Sequence, residues 1–109
     1  MEKQDLDKEC LDIIDNNINM MVPWYLMAAY AYYEQDDPIL SDAMFDRLGK
    51  RLLENWDKIE HMHKDLITED MLKAGTYIGE FPSRIEGAVD HLKEACYGKD
   101  FRKSNRRSA

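Results

Sequence analysis

One turn separates the most apolar part of this chain from a polar helix, and it constrains the fold more than any other feature. Residues 20–33 form an apolar run of about 14 positions, and two aspartates and a proline follow it at residues 36–38. A residue that precedes proline is disfavoured in helical geometry, so a helix has to end there. The run is also shorter than the roughly 20 residues that span a bilayer. It predicts a buried core helix over residues 24–33, followed by a tight turn.

Helical periodicity extends over most of the remaining chain. Apolar side chains recur at helical spacing over residues 3–18, 42–61 and 83–97. Only five glycines and three prolines interrupt the 109 residues, and a chain of this length buries one modest core. The sequence therefore predicts an all-α fold: a single compact bundle of four to five helices over residues 1–97.

Polar residues mark several of the predicted helix ends. Ser41 is placed to cap the third helix. Thr68 and Gly75 are placed to start and to stop a short fourth helix. Ser83 and Glu86 match the Ser-x-x-Glu pattern of a capping box, which predicts the start of the last helix.

Charge is divided unequally along the chain. Residues 98–109 hold five basic side chains and one acidic side chain, a net charge of +4, so residues 1–97 carry −11 of the total of −7. An acidic body repels phosphates and disfavours nonspecific nucleic-acid binding. The basic tail is predicted to be disordered and solvated, and contact with nucleic acid is expected only through it.

A cluster of carboxylates and aromatic rings forms the candidate binding site. Asp42, Phe45 and Asp46 fall at positions i, i+3 and i+4 of the third predicted helix, so they share one helical face. Tyr32 and Tyr33 lie at the end of the preceding helix, across the turn. Rings to stack on, with carboxylates beside them, suit a flat cationic ligand such as a pyridinium. Each residue also has an ordinary structural explanation, since Asp46 is spaced to pair with a lysine four residues later.

The same stretch resembles the N-terminal Ia domain of NAD-dependent DNA ligases. The pattern of that family is roughly Tyr-x-Tyr-His, a short gap, then Asp-x-Pro-x-x-x-Asp-Ala-x-Tyr-Asp-x-Leu. The residues that fall in register with it are Tyr30, Tyr32, Asp36, Pro38, Asp42, Ala43, Asp46 and Leu48. Residues 63–70 resemble a second family segment, His-Pro-Glu-Leu-Ile-Thr-Pro-Asp, so the likeness spans about residues 24–70. Tyr33 stands where the family usually has His, and Phe45 where it has Tyr.

The resemblance implies a ligand. In that family the Ia domain binds the nicotinamide mononucleotide (NMN) half of NAD, with rings stacked on the nicotinamide and aspartates on the ribose and carboxamide. NAD or NMN is therefore the implied cofactor, and the implied cofactor-binding residues are Tyr32, Tyr33, Asp42, Phe45 and Asp46. Phe45 can stack on a ring but lacks the hydroxyl group of a tyrosine.

Catalytic and metal-binding motifs are missing from the sequence. A ligase transfers AMP through the lysine of a Lys-x-Asp-Gly motif, and no such tetrapeptide occurs here. We therefore expect a protein that is not an enzyme and has no catalytic residues. His61 and His63 are too few for a metal site, and at i, i+2 on a helix they would lie on different faces. The charged N-terminus lacks the apolar segment of a secretory signal, so a cytoplasmic location is expected.

Two classes of function remain open. In the first, a noncatalytic Ia-like module binds NMN or NAD and acts in NAD metabolism or modulates a separate ligase by docking on its adenylation domain. In the second, the fold is inherited without a working pocket, and the protein is an interaction module of phage or bacterial DNA metabolism. An open pocket lined by Tyr33, Phe45 and the two carboxylates would favour the first class. Packing of Tyr32 and Phe45 into the core would favour the second.

Overall fold

The computed structural model describes residues 3–97, with side chains described for residues 6–95. The α-helices are α1 (Lys3–Asn16), α2 (Met21–Ala29), α3 (Asp42–Glu54), α4 (Glu69–Ala74) and α5 (Ser83–Tyr97). A π-helical turn continues α2 over Tyr30–Glu34, and short 3₁₀ segments occupy Ile18–Met20, Trp56–Lys58 and Lys64–Leu66. No strand occurs in residues 3–97, and the predicted all-α fold of four to five helices is confirmed. The predicted tail, residues 98–109, lies outside the described residues.

Helix α2 lies at the centre of the fold because it is apolar nearly all round. Eight of its nine residues are buried, and it packs against α3 and α5. The fully buried ring of Tyr25 covers Gly49 of α3, where a β-carbon would come within 3.2 Å of the ring. Glycine is a poor helix former. At this position its missing side chain allows α2 and α3 to approach closely.

The end of α2 is wider than a regular helix. In the π-helical turn the Gln35 N–H donates to the Tyr30 carbonyl, five residues back, over 3.3 Å. Asp36 then adopts a left-handed conformation with φ 51°, and the Asp37 N–H donates to the Ala31 carbonyl over 3.0 Å. Aspartate is one of the few residues with a side chain that tolerate this conformation at a helix end. The chain therefore reverses at the turn that the sequence predicted.

Helix α3 ends earlier than the apolar spacing predicted. The expectation that the third helix continues to residue 61 is wrong, because the helix stops at Glu54. At this end the Arg51 carbonyl accepts from the Asn55 N–H over 3.1 Å and from the Asn55 side-chain amide over 2.8 Å, a local side-chain bond of the kind that competes with helix continuation. Ile59 remains buried although it lies beyond the helix. The apolar pattern therefore predicted the burial of Ile59 correctly but predicted a helix where there is none.

Ser41 caps α3 as predicted, and a carboxylate from α1 holds it in place. The Ser41 hydroxyl accepts from the Met44 N–H over 3.1 Å and donates to Asp7 Oδ2 over 2.6 Å. The Ser41 N–H donates to Asp7 Oδ1 over 3.0 Å. Thr68 caps α4 with its hydroxyl, and Gly75 ends that helix with φ 68°. The predicted cap of α3 is thus confirmed, as are both predicted ends of α4.

Substitution of the α3 cap should destabilise the protein. We expect Ser41→Ala to lower the free energy of unfolding by about 1 kcal/mol, the typical cost of losing an N-cap side chain. Ser83→Ala is the matched control. Helix α5 begins at Ser83, the predicted start, and the N–H groups of Ile85 and Glu86 donate to the Pro82 carbonyl over 2.9 and 3.2 Å. The control should cost less than about 0.5 kcal/mol. Equal losses in urea denaturation would contradict the assigned cap.

Two glycines should respond to alanine with opposite signs. Gly75 is left-handed, and a side chain in that conformation costs roughly 1–2 kcal/mol, although open space surrounds the position. Gly87 lies inside α5, also with open space around it, so alanine there should stabilise the protein by about 0.5–1 kcal/mol. Thermal melts of Gly75→Ala and Gly87→Ala would measure the two effects. Stabilisation in both variants would contradict the left-handed end of α4.

Candidate functional site

The five predicted site residues lie around one pocket between the end of α2 and the start of α3. The pocket has a volume of about 210 Å³, and its lining residues are Tyr32, Tyr33, Asp42, Phe45, Asp46 and Gly75. We call it the aromatic pocket. Pockets for drug-sized ligands measure about 300–1,000 Å³. The aromatic pocket lies below that range, so it can enclose only part of a ligand as large as a dinucleotide.

Near-parallel rings form one side of the aromatic pocket. The ring centroids of Tyr25 and Phe45 are 4.9 Å apart with an interplanar angle of 16°, and those of Phe45 and Tyr32 are 6.3 Å apart with an angle of 8°. Tyr33 meets Tyr32 edge to face, with centroids 4.9 Å apart. Tyr25 is fully buried, whereas Tyr32 is 45% exposed. Phe45 is thus parallel both to a core ring and to a solvent-exposed ring, so the pocket rests directly on the core.

Two tyrosine hydroxyls fasten this aromatic side to the segment after α4. The Tyr25 hydroxyl donates to the Thr76 carbonyl over 2.7 Å, and the hydroxyls of Tyr33 and Thr76 share a hydrogen bond of 3.0 Å. Burial, with a smaller contribution from Tyr33, raises the pKa of the Tyr25 hydroxyl above its usual range. These bonds hold Thr76 beside the rings and bring its neighbour Gly75 into the pocket wall. The sequence marked Gly75 as a helix end, but nothing in it placed Gly75 near residues 32–46.

Two exposed carboxylates form the acidic side of the pocket. Asp42 lies in the first turn of α3, where the helix dipole favours negative charge. Asp46 Oδ2 lies 2.9 Å from Lys50 Nζ, and the two side chains are 60% and 72% exposed. Such a solvated pair contributes roughly 0–1 kcal/mol to stability. Lys50 lies beside the pocket, but no lysine or arginine is among the described residues that line it, so the charge of the lining itself favours a cation.

His61 and His63 lie in the turn after α3 rather than on a helix, because α3 ends at Glu54. Their ring centroids are 5.4 Å apart, and the His63 N–H donates to His61 Nδ1 over 3.1 Å. The premise that helical spacing separates them is therefore wrong. Burial, then the neighbouring His63, lowers the pKa of His61.

Two absences apply to the described part of the chain. It contains no group of three or more His, Cys, Asp or Glu side chains placed to hold a metal ion. None of its helices combines the length and apolar character needed to cross a membrane.

Comparisons with known proteins identify a family. A family model described as "DNA ligase-like, N-terminal NAD+-binding domain" matches residues 18–71. The DNA ligase of Paenarthrobacter aurescens (strain TC1) is 38% identical over 64 residues, which cover 59% of this chain and 8% of the ligase. The DNA ligase of Heliobacterium modesticaldum (strain ATCC 51547 / Ice1) is 34% identical over 85 residues, which cover 72% of this chain and 12% of the ligase. No solved structure gives a significant match.

The family match contains all five predicted site residues and begins before residue 24, where the predicted likeness starts. The aligned residues make up only 8% to 12% of the length of these two ligases. The matched part is the N-terminal Ia domain, which lacks the catalytic domain of the ligases. Through residues 18–71, this chain belongs to the family of the DNA ligase-like, N-terminal NAD+-binding Ia domains of NAD-dependent DNA ligases.

Proposed function

We propose that this protein is a noncatalytic module that binds NMN, or the NMN half of NAD, in the aromatic pocket. The observation that carries the proposal is the convergence of near-parallel rings and two carboxylates in one open pocket inside the family match. A nicotinamide nucleotide carries a flat, positively charged pyridinium. The ring faces attract that cation through their quadrupole, and nearby carboxylates favour its charge.

The dimensions of the pocket support a bound ring rather than a bound dinucleotide. Non-bonded carbon atoms pack at about 3.5 Å, so a planar ring between two parallel rings needs about 7 Å. The Tyr32 and Phe45 centroids are 6.3 Å apart, which is an upper limit on the spacing of the two ring planes, so the exposed Tyr32 would have to move outward to admit a third ring. A ring stacked on one face only would need no shift.

We also propose that the rest of NAD is held by another surface, because the aromatic pocket is too small to enclose it. The adenylation domain of a DNA ligase, in a separate chain or elsewhere in the same polypeptide, is the partner that the family suggests. The site of action would be the cytoplasm.

The exposure of Tyr32 argues against the alternative, an interaction module whose rings are buried in its core. A contribution of residues 98–109 to nucleic-acid binding stays a prediction.

Removal of the Asp46 carboxylate should weaken ligand binding more than it changes stability. Titration of the wild-type protein with NMN and NAD, followed by NMR, should give saturable shifts at Tyr32, Asp42, Phe45 and Asp46. We expect Asp46→Ala to raise the NMN dissociation constant about tenfold or more, since losing a charged hydrogen-bond partner costs roughly 1.5–3 kcal/mol. The unfolding free energy should change by less than about 0.5 kcal/mol.

Lys50→Ala is the matched control for Asp46→Ala. It breaks the same ion pair but leaves the Asp46 carboxylate in the pocket. NMN binding should persist in this control, and equal losses in both variants would mean that Asp46 acts only as the partner of Lys50. The absence of wild-type shifts at millimolar NMN and NAD would overturn the proposed function.

The pocket should also distinguish ligands by charge. We expect the 1-methylnicotinamide cation to bind at least about fivefold more tightly than neutral nicotinamide, because one Coulomb contact near 4 Å contributes roughly 1 kcal/mol even in water. The double variant Asp42→Asn/Asp46→Asn should remove this preference while both rings stay in place. Calorimetry at two salt concentrations would measure it. Equal affinity of the wild-type protein for both ligands would rule out electrostatic selection.

A further inference from the structure

We propose that α5 positions the aromatic pocket by bracing the turn that joins its two sides. The turn, residues 35–41, connects the ring-bearing end of α2 to the start of α3. The bracing residues are Lys93 and Asp90. The inference rests on the proposed nucleotide binding, and it assigns a role to a helix that lies outside the family match at residues 18–71.

Lys93 is a charged side chain buried in the core, with 1% of its surface exposed. Its Nζ donates to the Asp37 carbonyl over 2.5 Å and lies 3.2 Å from Asp37 Oδ2. A buried ammonium is unfavourable unless it is paired and hydrogen-bonded. Because Lys93 holds both the backbone and the side chain of Asp37, movement of Asp37 would leave the buried charge without these contacts.

Asp90 contacts the same turn from one helical turn earlier on α5. Its Oδ1 accepts from Gln35 Nε2 over 3.0 Å. Gln35 and Asp37 flank Asp36, whose φ of 51° is an uncommon conformation for a residue with a side chain. Such a conformation persists where the surrounding structure holds it. The two contacts from α5 fix the chain on both sides of this strained residue.

The geometry of this turn decides whether the pocket exists. Tyr32 and Tyr33 lie just before it, and Asp42 and Phe45 lie just after it. When the turn is loosened, the rings and carboxylates converge in a smaller fraction of molecules. The apparent dissociation constant rises in inverse proportion to that fraction. Loss of the brace should therefore weaken NMN binding even in molecules that remain folded.

The test compares substitutions on α5 that differ in their contact with the turn. Lys93→Met keeps most of the stem and removes the ammonium, and Asp90→Ala removes the milder contact. Val89→Ala is the control, because Val89 is a fully buried core residue of α5 whose side chain has no polar atom to offer the turn. Among folded molecules, we expect the NMN dissociation constant to rise about tenfold for Lys93→Met, about threefold for Asp90→Ala and less than about twofold for Val89→Ala.

A readout without ligand separates this inference from the proposed function. In free protein, Lys93→Met should speed hydrogen exchange of the Asp37 N–H, which bonds to the Ala31 carbonyl, and weaken the NMR contact between the Tyr32 and Phe45 rings. Val89→Ala should leave both readouts close to wild type.

Each outcome decides one of the two proposals. If wild-type protein does not bind NMN, the proposed function fails, and hydrogen exchange and ring contact still decide the bracing role. If Lys93→Met alters binding, exchange and ring contact no more than Val89→Ala does, α5 only stabilises the fold and the inference is overturned. If Lys93→Met does not fold, Asp90→Ala decides through the same measurements.

Discussion

Tyr25 connects the core of this protein to its pocket. Its buried ring covers Gly49 and stacks on Phe45, and its hydroxyl donates to the Thr76 carbonyl. Burial of a large side chain contributes about 1.5–3 kcal/mol, and a buried hydroxyl requires the partner that it finds here. Because α2, α3 and the segment after α4 all meet at this residue, the contacts that stabilise the fold also set the orientation of the ring in the pocket.

The rest of the pocket uses features that cost little stability. Asp42 and Asp46 stay exposed on the first turns of α3, so neither has to be desolvated. The helix that carries them is fixed at its start, where Ser41 caps it and Asp7 of α1 binds Ser41. A carboxylate pair on a capped helix, opposite rings that rest on the core, is a preorganised arrangement for a small cation.

The segments outside the family match support the segment inside it. Asp7 of α1 binds the end of the turn at Ser41, and Lys93 of α5 binds its beginning at Asp37. Both supporting residues lie outside residues 18–71, whereas the site residues Tyr32–Tyr33 and Asp42–Asp46 lie within them. The family-matched part thus supplies the side chains that line the aromatic pocket, and the flanking helices contact the turn that joins its two sides.

Local features of the fold were predictable from the sequence because they depend on neighbours along the chain. Helical periodicity, the reversal near Pro38 and the caps at Ser41 and Thr68 arise within a few residues of each position. The shared face of Asp42, Phe45 and Asp46 follows from the helical repeat alone. Their position in one pocket agrees with the ligand roles that the family resemblance implied, and those roles stay predictions.

Contacts between distant residues decided the rest. The end of α3 is an exception, because there Asn55 bonds to Arg51 only four residues earlier, and buried residues that continue beyond the helix hid this end in the apolar spacing. Gly75 lies in the pocket wall beside Thr76, which hydrogen-bonds to two tyrosines, and the buried Lys93 contacts Asp37 from a helix 56 residues further along the chain. A sequence records the type and spacing of such residues but not their distances across the fold. The sequence by itself therefore determined the helices and the aromatic and acidic residues that they carry. The packing of α2 against α3 and α5 determined that these residues line one pocket.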